Sequence, residues 1–414
     1  MTTTPDRRQR SVTRGLLAGN LADAVGTQLA QYSLVFVALV SLQVSQTQFG
    51  LVNSMGSAAF LLLAVPCGAL VDRAGALTSL SLAAIGKVAV GGLLLVSLSR
   101  GELDFAGVLA FSVLFGLVSL LAETSQMAAA KLVSKDGAQV GRVVALMTSA
   151  DRAASIAVPA VVGLALARWW AGNVVMGAML CLGAAAWSFL SAARRHRQST
   201  PPPAPAPEAA GRPPRPALLE GFRQLARTPH LPAITLLIAA GNAGLAIGDT
   251  LEAVLILQTL DLGMGFFGIQ GAVAAAAGLL ASLAAPRITA HLPVGTLFGW
   301  GGLAQALVAL LPLGGYLVPT AAPVLLLVFA AAWAAVVTVT NIAGSAHLAR
   351  ATPQEVLGRS SGAYRAATMG VVPVFAFLGG WMSDQWGMVT ALSIWPALTL
   401  GATAVYWWSR SRAK

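Results

Sequence analysis

The sequence predicts an all-α membrane protein whose twelve transmembrane helices form two pseudo-symmetric six-helix bundles. Three observations support this fold class. The 414 residues are 57% hydrophobic and only 10% charged, with a mean hydropathy of +0.75, which is too apolar for a soluble domain of this length. Twelve apolar runs are long enough to cross a bilayer, which takes about 20 residues. A polar-striped segment near the start also recurs in the second half.

The predicted spans divide around one long connection. Residues 1–14 form a basic tail, and 15–193 hold the first six spans. Residues 194–230 form a Pro-rich loop, PPPAPAPEAAGRPPRP, followed by ALLEGFRQLAR, which the pattern predicts to be a helix on the membrane surface. The second six spans occupy 231–408, and 409–414 form a second tail. The spans are 15–42, 48–71, 76–98, 105–131, 143–167, 171–193, 231–258, 265–286, 293–314, 320–346, 361–383 and 387–408.

The basic residues predict that both termini face the cytoplasm. Of the 26 Lys and Arg residues, only Arg100 and Arg168 fall in loops assigned to the outside, and Lys87 and Arg152 fall inside spans. The others lie in segments assigned to the cytoplasm or, for Lys131 and Arg365, at the cytoplasmic ends of spans, as the positive-inside rule requires. The net charge of +11 therefore comes mainly from basic residues that face the cytoplasm and the anionic lipid headgroups there. Nucleic acid is not expected as a partner. The first span is too long for a cleavable signal, so we expect it to be retained.

The recurring segment is Ala18–Gln31, with the sequence AGNLADAVGTQLAQ. Ala240–Ala253, 222 residues further on, reads AGNAGLAIGDTLEA, and six of the fourteen positions are identical. The match suggests two halves of one protein, each beginning with a polar-striped helix. Helical spacing places the polar side chains of the first copy on one face: Asn20, Asp23, Thr27 and Gln31.

Acidic residues inside spans are the main functional candidates, because an ionisable group there costs about 3 kcal/mol or more. Asp23 and Glu123 have similar predicted depths. Two neighbouring carboxylates in a poorly solvated cavity resist ionising together, so we predict that they form a proton-coupling site with Arg152 as counter-ion. The alternative is that Arg152 permanently neutralises one acid and the set only holds helices together.

The second pair of acids, Asp249 and Glu252, shares a helix face toward the outer end of the seventh span. These carboxylates would meet a cationic or amphipathic substrate, or else line a solvated vestibule. Lys87 lies mid-span, where a structural ion pair or snorkelling is favoured over substrate contact. No metal-ligand spacing, catalytic constellation or nucleotide motif is present, so we expect no cofactor, no metal and no enzymatic activity. Energy must then come from an ion gradient or from the substrate's own gradient.

The second span ends with Gly68-Ala-Leu70-Val-Asp72-Arg73-Ala-Gly75. This stretch resembles the cytoplasmic loop signature of the major facilitator superfamily, Gly-x-Leu-x-Asp-Arg-x-Gly, with Ala and Leu in place of the basic residues that usually follow. The resemblance implies a gate motif made by Gly68, Asp72, Arg73 and Gly75. In that role Asp72 would meet the helix N-terminus near 360–361 when the cytoplasmic side closes.

Two further stretches are similar to the macrolide-efflux and enterobactin-exporter branch of the drug:proton antiporters. They are 220–231, before the seventh span, and 352–359, before the eleventh. Pro159 and Gly163 also resemble part of the antiporter motif of the fifth span. The resemblance implies a monomer in the bacterial inner membrane that works by alternating access, with spans one, four, seven and ten lining a central cavity. The cavity candidates are Asn20, Thr27, Gln31, Ser119, Gln126, Asn242, Asp249, Glu252, Thr338 and Asn341.

These features together favour a proton-coupled exporter of hydrophobic or amphipathic small molecules, such as drugs or a siderophore. Its expected partners are the substrate, protons and membrane lipid. A lysophospholipid flippase on the same fold is the main alternative, and it should have a cavity open laterally to lipid. An importer of a small metabolite is a further alternative. A membrane-embedded enzyme and a non-transporting scaffold are disfavoured, since the first lacks a catalytic constellation and the second has no use for intramembrane acids.

Overall fold

The computed structural model describes residues 4–134, 136–166, 168–199, 223, 226–227, 231–351 and 363–411. Throughout this part of the chain the regular structure is helical. Eleven helices are long and apolar enough to cross a membrane, so the predicted all-α membrane fold is confirmed. The helices are α1 (Thr4–Phe36), α2 (Gln46–Leu62), α3 (Ala64–Ala74), α4 (Ala76–Arg100), α5 (Phe105–Leu132), α6 (Gly137–Leu166), α7 (Ala171–Ser199), α8 (Leu231–Val254), α9 (Gly263–His291), α10 (Val294–Val308), α11 (Leu310–Leu317), α12 (Ala322–Ala351), α13 (Val372–Trp386, within the span Ala363–Trp386) and α14 (Met388–Ser411).

The second predicted span, 48–71, is built from two helices rather than one. Helices α2 and α3 are separated at Leu63, which leaves the helical region with φ −114° and ψ 3°. Pro66 explains the break, because its ring has no N–H and would clash with the carbonyl of Leu62 in a continuous helix. Together with the eleven long helices, this pair accounts for the twelve predicted spans.

Helices α1 and α8 end in the same way, which supports the predicted internal repeat. Each runs into a five-residue π-helical turn, Val37–Ser41 in the first half and Leu255–Thr259 in the second. Gln43 and Asp261 then both have a φ of 49°. Val37 and Leu255 are 218 residues apart, whereas the sequence repeat has a spacing of 222. The difference is about one helical turn, so the sequence match finds the correct face but the wrong turn.

The first compact unit contains Met1–Gln43, Met55–Ala209 and Met264–Ile269, so far as these ranges are described. In this unit α1 packs against α6 and α7, and α4 packs between α5 and α7. Small residues allow close contact. A Cβ on Gly26 would lie 2.7 Å from Leu182 Cγ, and a Cβ on Gly116 would overlap the carbonyl oxygen of Gly56. Helices in lipid associate mainly through such packing, because lipid tails are as apolar as the helices themselves.

The second compact unit contains Val44–Ser54, Ala210–Gly263 and Gln270–Lys414, so far as these are described. Here α8 packs against α13 and α14, and α10 packs against α12 and α14. Trp395 is fully buried and lies over Gly244 and Gly248 of α8, which leave room for its ring. The Trp395 ring also meets Trp333 of α12 edge-on at 4.7 Å between centroids. This aromatic contact fixes α14 against both α8 and α12.

The predicted gate motif lies at the turn between α3 and α4. Gly75 has φ +85° there, a conformation that favours glycine, and Asp72 and Arg73 are exposed. The same Gly-x-x-x-Asp-x-x-Gly spacing ends α13, where Gly387 has φ +84°. In that second turn the carboxylate of Asp384 accepts hydrogen bonds from the N–H (2.8 Å) and hydroxyl (2.6 Å) of Thr47, at the start of α2. The acid of this motif can therefore cap a helix N-terminus in this protein.

Several predictions fall outside the described residues. They are the Pro-rich part of the central loop, most of the surface helix, the stretch 352–359, and the predicted contact of Asp72 near 360–361. The described part of the central connection begins as a continuation of α7, which extends to Ser199.

We expect Gly116→Ala to lower the thermal unfolding temperature, because the added methyl would push α5 away from α2. Overpacking of this kind costs about 1–3 kcal/mol. Gly177→Ala on α7 is the matched control, since a Cβ there meets nothing within 4 Å. Thermal unfolding of the two purified variants in detergent would be compared with wild type. Equal melting temperatures for both would contradict the packing described for Gly116.

Candidate functional site

The polar face of α1 is centred on a buried ion pair. Lys87 Nζ on α4 lies 2.9 Å from Asp23 Oδ1 and 2.8 Å from Asp23 Oδ2, and it also donates to Thr27 Oγ1 at 2.9 Å. The side chains of Lys87 and Asp23 are only 2% and 7% exposed. The ammonium group lies 5.9 Å from the centroid of the Phe115 ring. All three hydrogens of the ammonium therefore have an acceptor, and an aromatic face closes the remaining side.

Separating Asp23 from Lys87 within a membrane span would cost considerable free energy. A single Asp or Lys at the centre of a transmembrane helix costs about 2.5–3.5 kcal/mol. Pairing removes the net charge, and removing one partner from a buried pair leaves an uncompensated charge at a cost of about 3–5 kcal/mol. The pair therefore holds α1 to α4 as long as both groups are ionised.

A second contact lies one turn before Asp23. Asn20 is completely buried, and its Nδ2 donates to Asp151 Oδ1 at 3.0 Å and to the carbonyl of Met147 at 3.3 Å, both on α6. Asp151 itself is half-buried. The face of α1 thus contacts two different helices through two kinds of polar group. Asp151 was not a candidate in the sequence, although it also lies within a predicted span.

The other predicted proton-coupling residues are more accessible than Asp23. Glu123 on α5 and Arg152 on α6 are both exposed, and the cation that pairs with Asp23 is Lys87. Among the predicted cavity residues of this unit, Gln31 is exposed, and Ser119 and Gln126 are half-buried. Helical spacing correctly placed Asn20, Asp23 and Thr27 on one face. It could not show which neighbouring helix that face contacts.

In the second unit the predicted acids lie on α8, with different surroundings. Glu252 is half-buried and accepts a hydrogen bond from Gln270 Nε2 on α9. Gln270 is 4% exposed and also donates to the carbonyl of Leu326 at 3.4 Å. Asp249, one turn before Glu252, is exposed. Glu252 is therefore held by an amide, and sequence reasoning missed Gln270 as its partner.

The remaining cavity candidates have mixed environments. Asn242 is 8% exposed and donates to the carbonyl of Thr368 at 2.9 Å, which gives it a structural contact. Thr338 and Asn341 on α12 are half-buried. The predicted polar positions of the second unit therefore include one buried helix contact and several groups that are partly accessible.

A large apolar groove lies within the second unit, between α9, α10 and α12. Its volume is about 1080 Å³, and its lining is apolar apart from the hydroxyl-bearing Thr296 and Thr340. Leu280, Trp300 and Val328, on its walls, are 67%, 59% and 50% exposed. The groove is therefore open at the surface of helices that span the membrane, where lipid tails would reach it.

Helices of this length, composition and number define a multi-pass membrane protein. The sequence signature of the Major Facilitator Superfamily matches residues 16–316. The match covers most of the chain, and the chain therefore belongs to the Major Facilitator Superfamily. No curated protein sequence matches this chain.

Solved structures agree with the family. The nucleoside transporter NupG, in a mutant form, has a TM-score of 0.74 at 12% identity, with 96% of this chain and 99% of that chain covered. A bacterial homologue of the human lysosomal transporter Spinster has a TM-score of 0.67 at 13% identity, with 99% and 98% covered. A bacterial homologue of the iron transporter ferroportin has a TM-score of 0.72 at 14% identity, with 96% and 98% covered. At these identities the likeness shows a transporter fold alone.

We expect Asp23→Asn and Lys87→Met each to destabilise the protein more than the double substitution does. Each single change leaves one buried charge unpaired, at a cost of about 3–5 kcal/mol, whereas the double change removes both charges. Fluorescence-detected size-exclusion chromatography after heating would give the three melting temperatures. Effects that simply add in the double variant would contradict a direct pair.

Proposed function

We propose that this transporter exports hydrophobic or amphipathic small molecules by alternating access, driven by protons. The observation that carries the proposal is the buried Asp23–Lys87 pair, with Thr27 as the third partner of the ammonium group. A scaffold protein gains nothing from placing such a pair inside a span, whereas a proton carrier needs an acid whose charge is balanced there. The cytoplasmic termini, the bacterial inner membrane and the monomeric state belong to the same proposal.

The coupling step we propose is a competition between a proton and Lys87 for the carboxylate of Asp23. A proton on Asp23 removes its negative charge, so the bonds to Lys87 Nζ at 2.8–2.9 Å lose their electrostatic part. Helix α1 is then no longer held to α4 by charge. Glu123, exposed on α5, is proposed as a second carrier. Arg152, exposed on the next helix, is proposed to balance Glu123 rather than Asp23.

The substrate class is proposed from the acids of the second unit. Asp249 is exposed, and Glu252 is half-buried with one oxygen held by Gln270. An amide donor orients a carboxylate without neutralising it, so the other oxygen stays available to a cation. A cationic amphipathic molecule fits this pair better than an anion does.

One observation favours the alternative function of lysophospholipid flipping. The apolar groove between α9, α10 and α12 is open at the surface of helices long and apolar enough to span the membrane. A lateral opening is what a lipid substrate requires, and the groove's volume of about 1080 Å³ lies just above the usual range for small-molecule sites, about 300–1,000 Å³. Uptake of a fluorescent lysophospholipid by proteoliposomes, with no transport of cationic dyes, would favour this function over export.

Accumulation of ethidium inside everted vesicles, which is the direction of export, should depend on the pH gradient in wild type and lose that dependence in Asp23→Asn and Glu123→Gln. One pH unit across the membrane is worth about 1.4 kcal/mol per proton, or about tenfold in accumulation. Glu102→Gln, an exposed acid in a loop, is the control and should behave as wild type. Unchanged gradient dependence in both span variants would exclude the proposed coupling site.

Glu252→Gln should raise the apparent KM for cationic dyes by about tenfold and leave neutral substrates within about twofold. The expected tenfold change corresponds to about 1.4 kcal/mol, the lower range for a charge-assisted contact. Dose–response curves for a cationic and a neutral dye in the same vesicles measure the ratio. An equal loss for both dyes would show that Glu252 is structural.

A further inference from the structure

Asp151 is an acid within a predicted membrane span that belongs to none of the predicted sites. It lies on α6, half-buried, 3.0 Å from the side-chain amide of Asn20 on α1. Asn20 is 0% exposed, and it is one turn from Asp23 on the same helix. An acid in a membrane span with a fully buried amide as its partner therefore lies beside the ion pair described above.

The amide of Asn20 can have only one orientation. Two acceptors, Asp151 Oδ1 and the carbonyl of Met147 at 3.3 Å, lie on one side of it. That side must carry the NH₂ group, since an oxygen there would face two acceptors. The opposite atom, Asn20 Oδ1, is buried and has no hydrogen-bond donor among the residues described. A buried acceptor left without a donor destabilises the folded state, because it has lost its hydrogen bond to water.

A proton on Asp151 would supply the missing donor. The ionised carboxylate can only accept, whereas the acid form has one O–H. A carboxylic acid and a primary amide can form a reciprocal pair, in which N–H donates to one carboxyl oxygen and O–H donates to the amide oxygen. The first of these bonds is present, so protonation at Oδ2 and a small rotation of the two groups would add the second. The proton comes from water, and no other bond forms or breaks.

The charges around Asp151 point the same way. The charged groups that act on Asp151 are Asp23 on α1, Lys87 on α4 and its chain neighbour Arg152, while the described charges of α7 lie only in its last turns, at 194–197. Arg152 follows in the chain but is exposed. Lys87 is committed to Asp23 and Thr27. Lys87 balances only one of the two acids, so a proton on Asp151 would make the buried part of this cluster neutral without a contribution from the exposed Arg152.

We propose that Asp151 is a proton-binding residue of the first unit and that Asn20 is the positioning residue that stabilises its acid form. This inference rests on the proposed proton coupling and adds a carrier to it. In this arrangement Asp151 takes up and releases a proton beside the Asp23–Lys87 pair, and both sites act on α1 because Asn20 and Asp23 lie one turn apart on that helix.

Infrared difference spectroscopy of the reconstituted full-length protein tests the proposal without a substrate. Changing from acidic to alkaline buffer should remove a carboxylic-acid C=O band that is absent in Asp151→Asn. Asn20→Leu should shift that band, because the acid loses its amide partner, and Asp151→Glu should retain a shifted band. Glu102→Gln is the control for a solvent-exposed acid and should leave the Asp151 band unchanged.

Two results would overturn the proposal. One is a difference spectrum of Asp151→Asn that equals wild type, and the other is a band that does not respond to Asn20→Leu. If Asp151→Asn does not fold, the response of the band to Asn20→Leu decides the matter. Ethidium export distinguishes a failure of the proposed proton coupling from a failure of the proposed role of Asp151. If wild-type export ignores the pH gradient, the proposed coupling fails. If wild type and Asp151→Asn depend on the gradient equally, only the role of Asp151 as a carrier fails.

Discussion

The cost of placing charge in lipid is the constraint on which the first unit depends. Asp23 and Lys87 could each be tolerated only if the other lies within contact distance, and the structure places them 2.8 Å apart with Thr27 and the Phe115 ring completing the site. This requirement fixes the rotation of α1 about its axis. The same rotation turns Asn20 toward α6. The ion pair therefore also determines which side chain of α1 contacts α6.

The length and position of the spans could be predicted because the thickness of the hydrocarbon core sets how many consecutive apolar residues a transmembrane helix needs. Helix ends were harder to predict, since polar ends extend beyond the apolar run, as in α1 and α7. The break at Leu63 had a visible cause in Pro66, but many membrane helices tolerate proline, so the residue alone did not decide the outcome. The repeat was found at 222 residues, whereas the π-helical turns recur at 218, because a shift of one turn preserves the helix face on which the match depends.

The candidate site was predictable only as far as helix periodicity extends. Periodicity placed Asn20, Asp23 and Thr27 on one face, but it carries no information on which helix meets that face. Lys87 is 64 residues from Asp23, and Asp151 is 131 residues from Asn20. Asp151 was not among the candidates, although it lies within the fifth predicted span, and periodicity could not show that it meets Asn20. Gln270 carries no charge, so nothing in the sequence indicated that it would hold Glu252.

The two units balance their acids by different means, and this difference bears on function. In the first unit the carboxylate of Asp23 is paired with the buried ammonium group of Lys87. In the second unit the contact described for Glu252 is with the neutral amide of Gln270, and Asp249 is exposed. A carboxylate held by an amide keeps its negative charge available to an external cation, whereas one held by an ammonium group does not. Under the proposed function, the first arrangement would serve proton binding and the second a cationic ligand, so the two halves of the repeat would share a common helix but divide the two tasks between them.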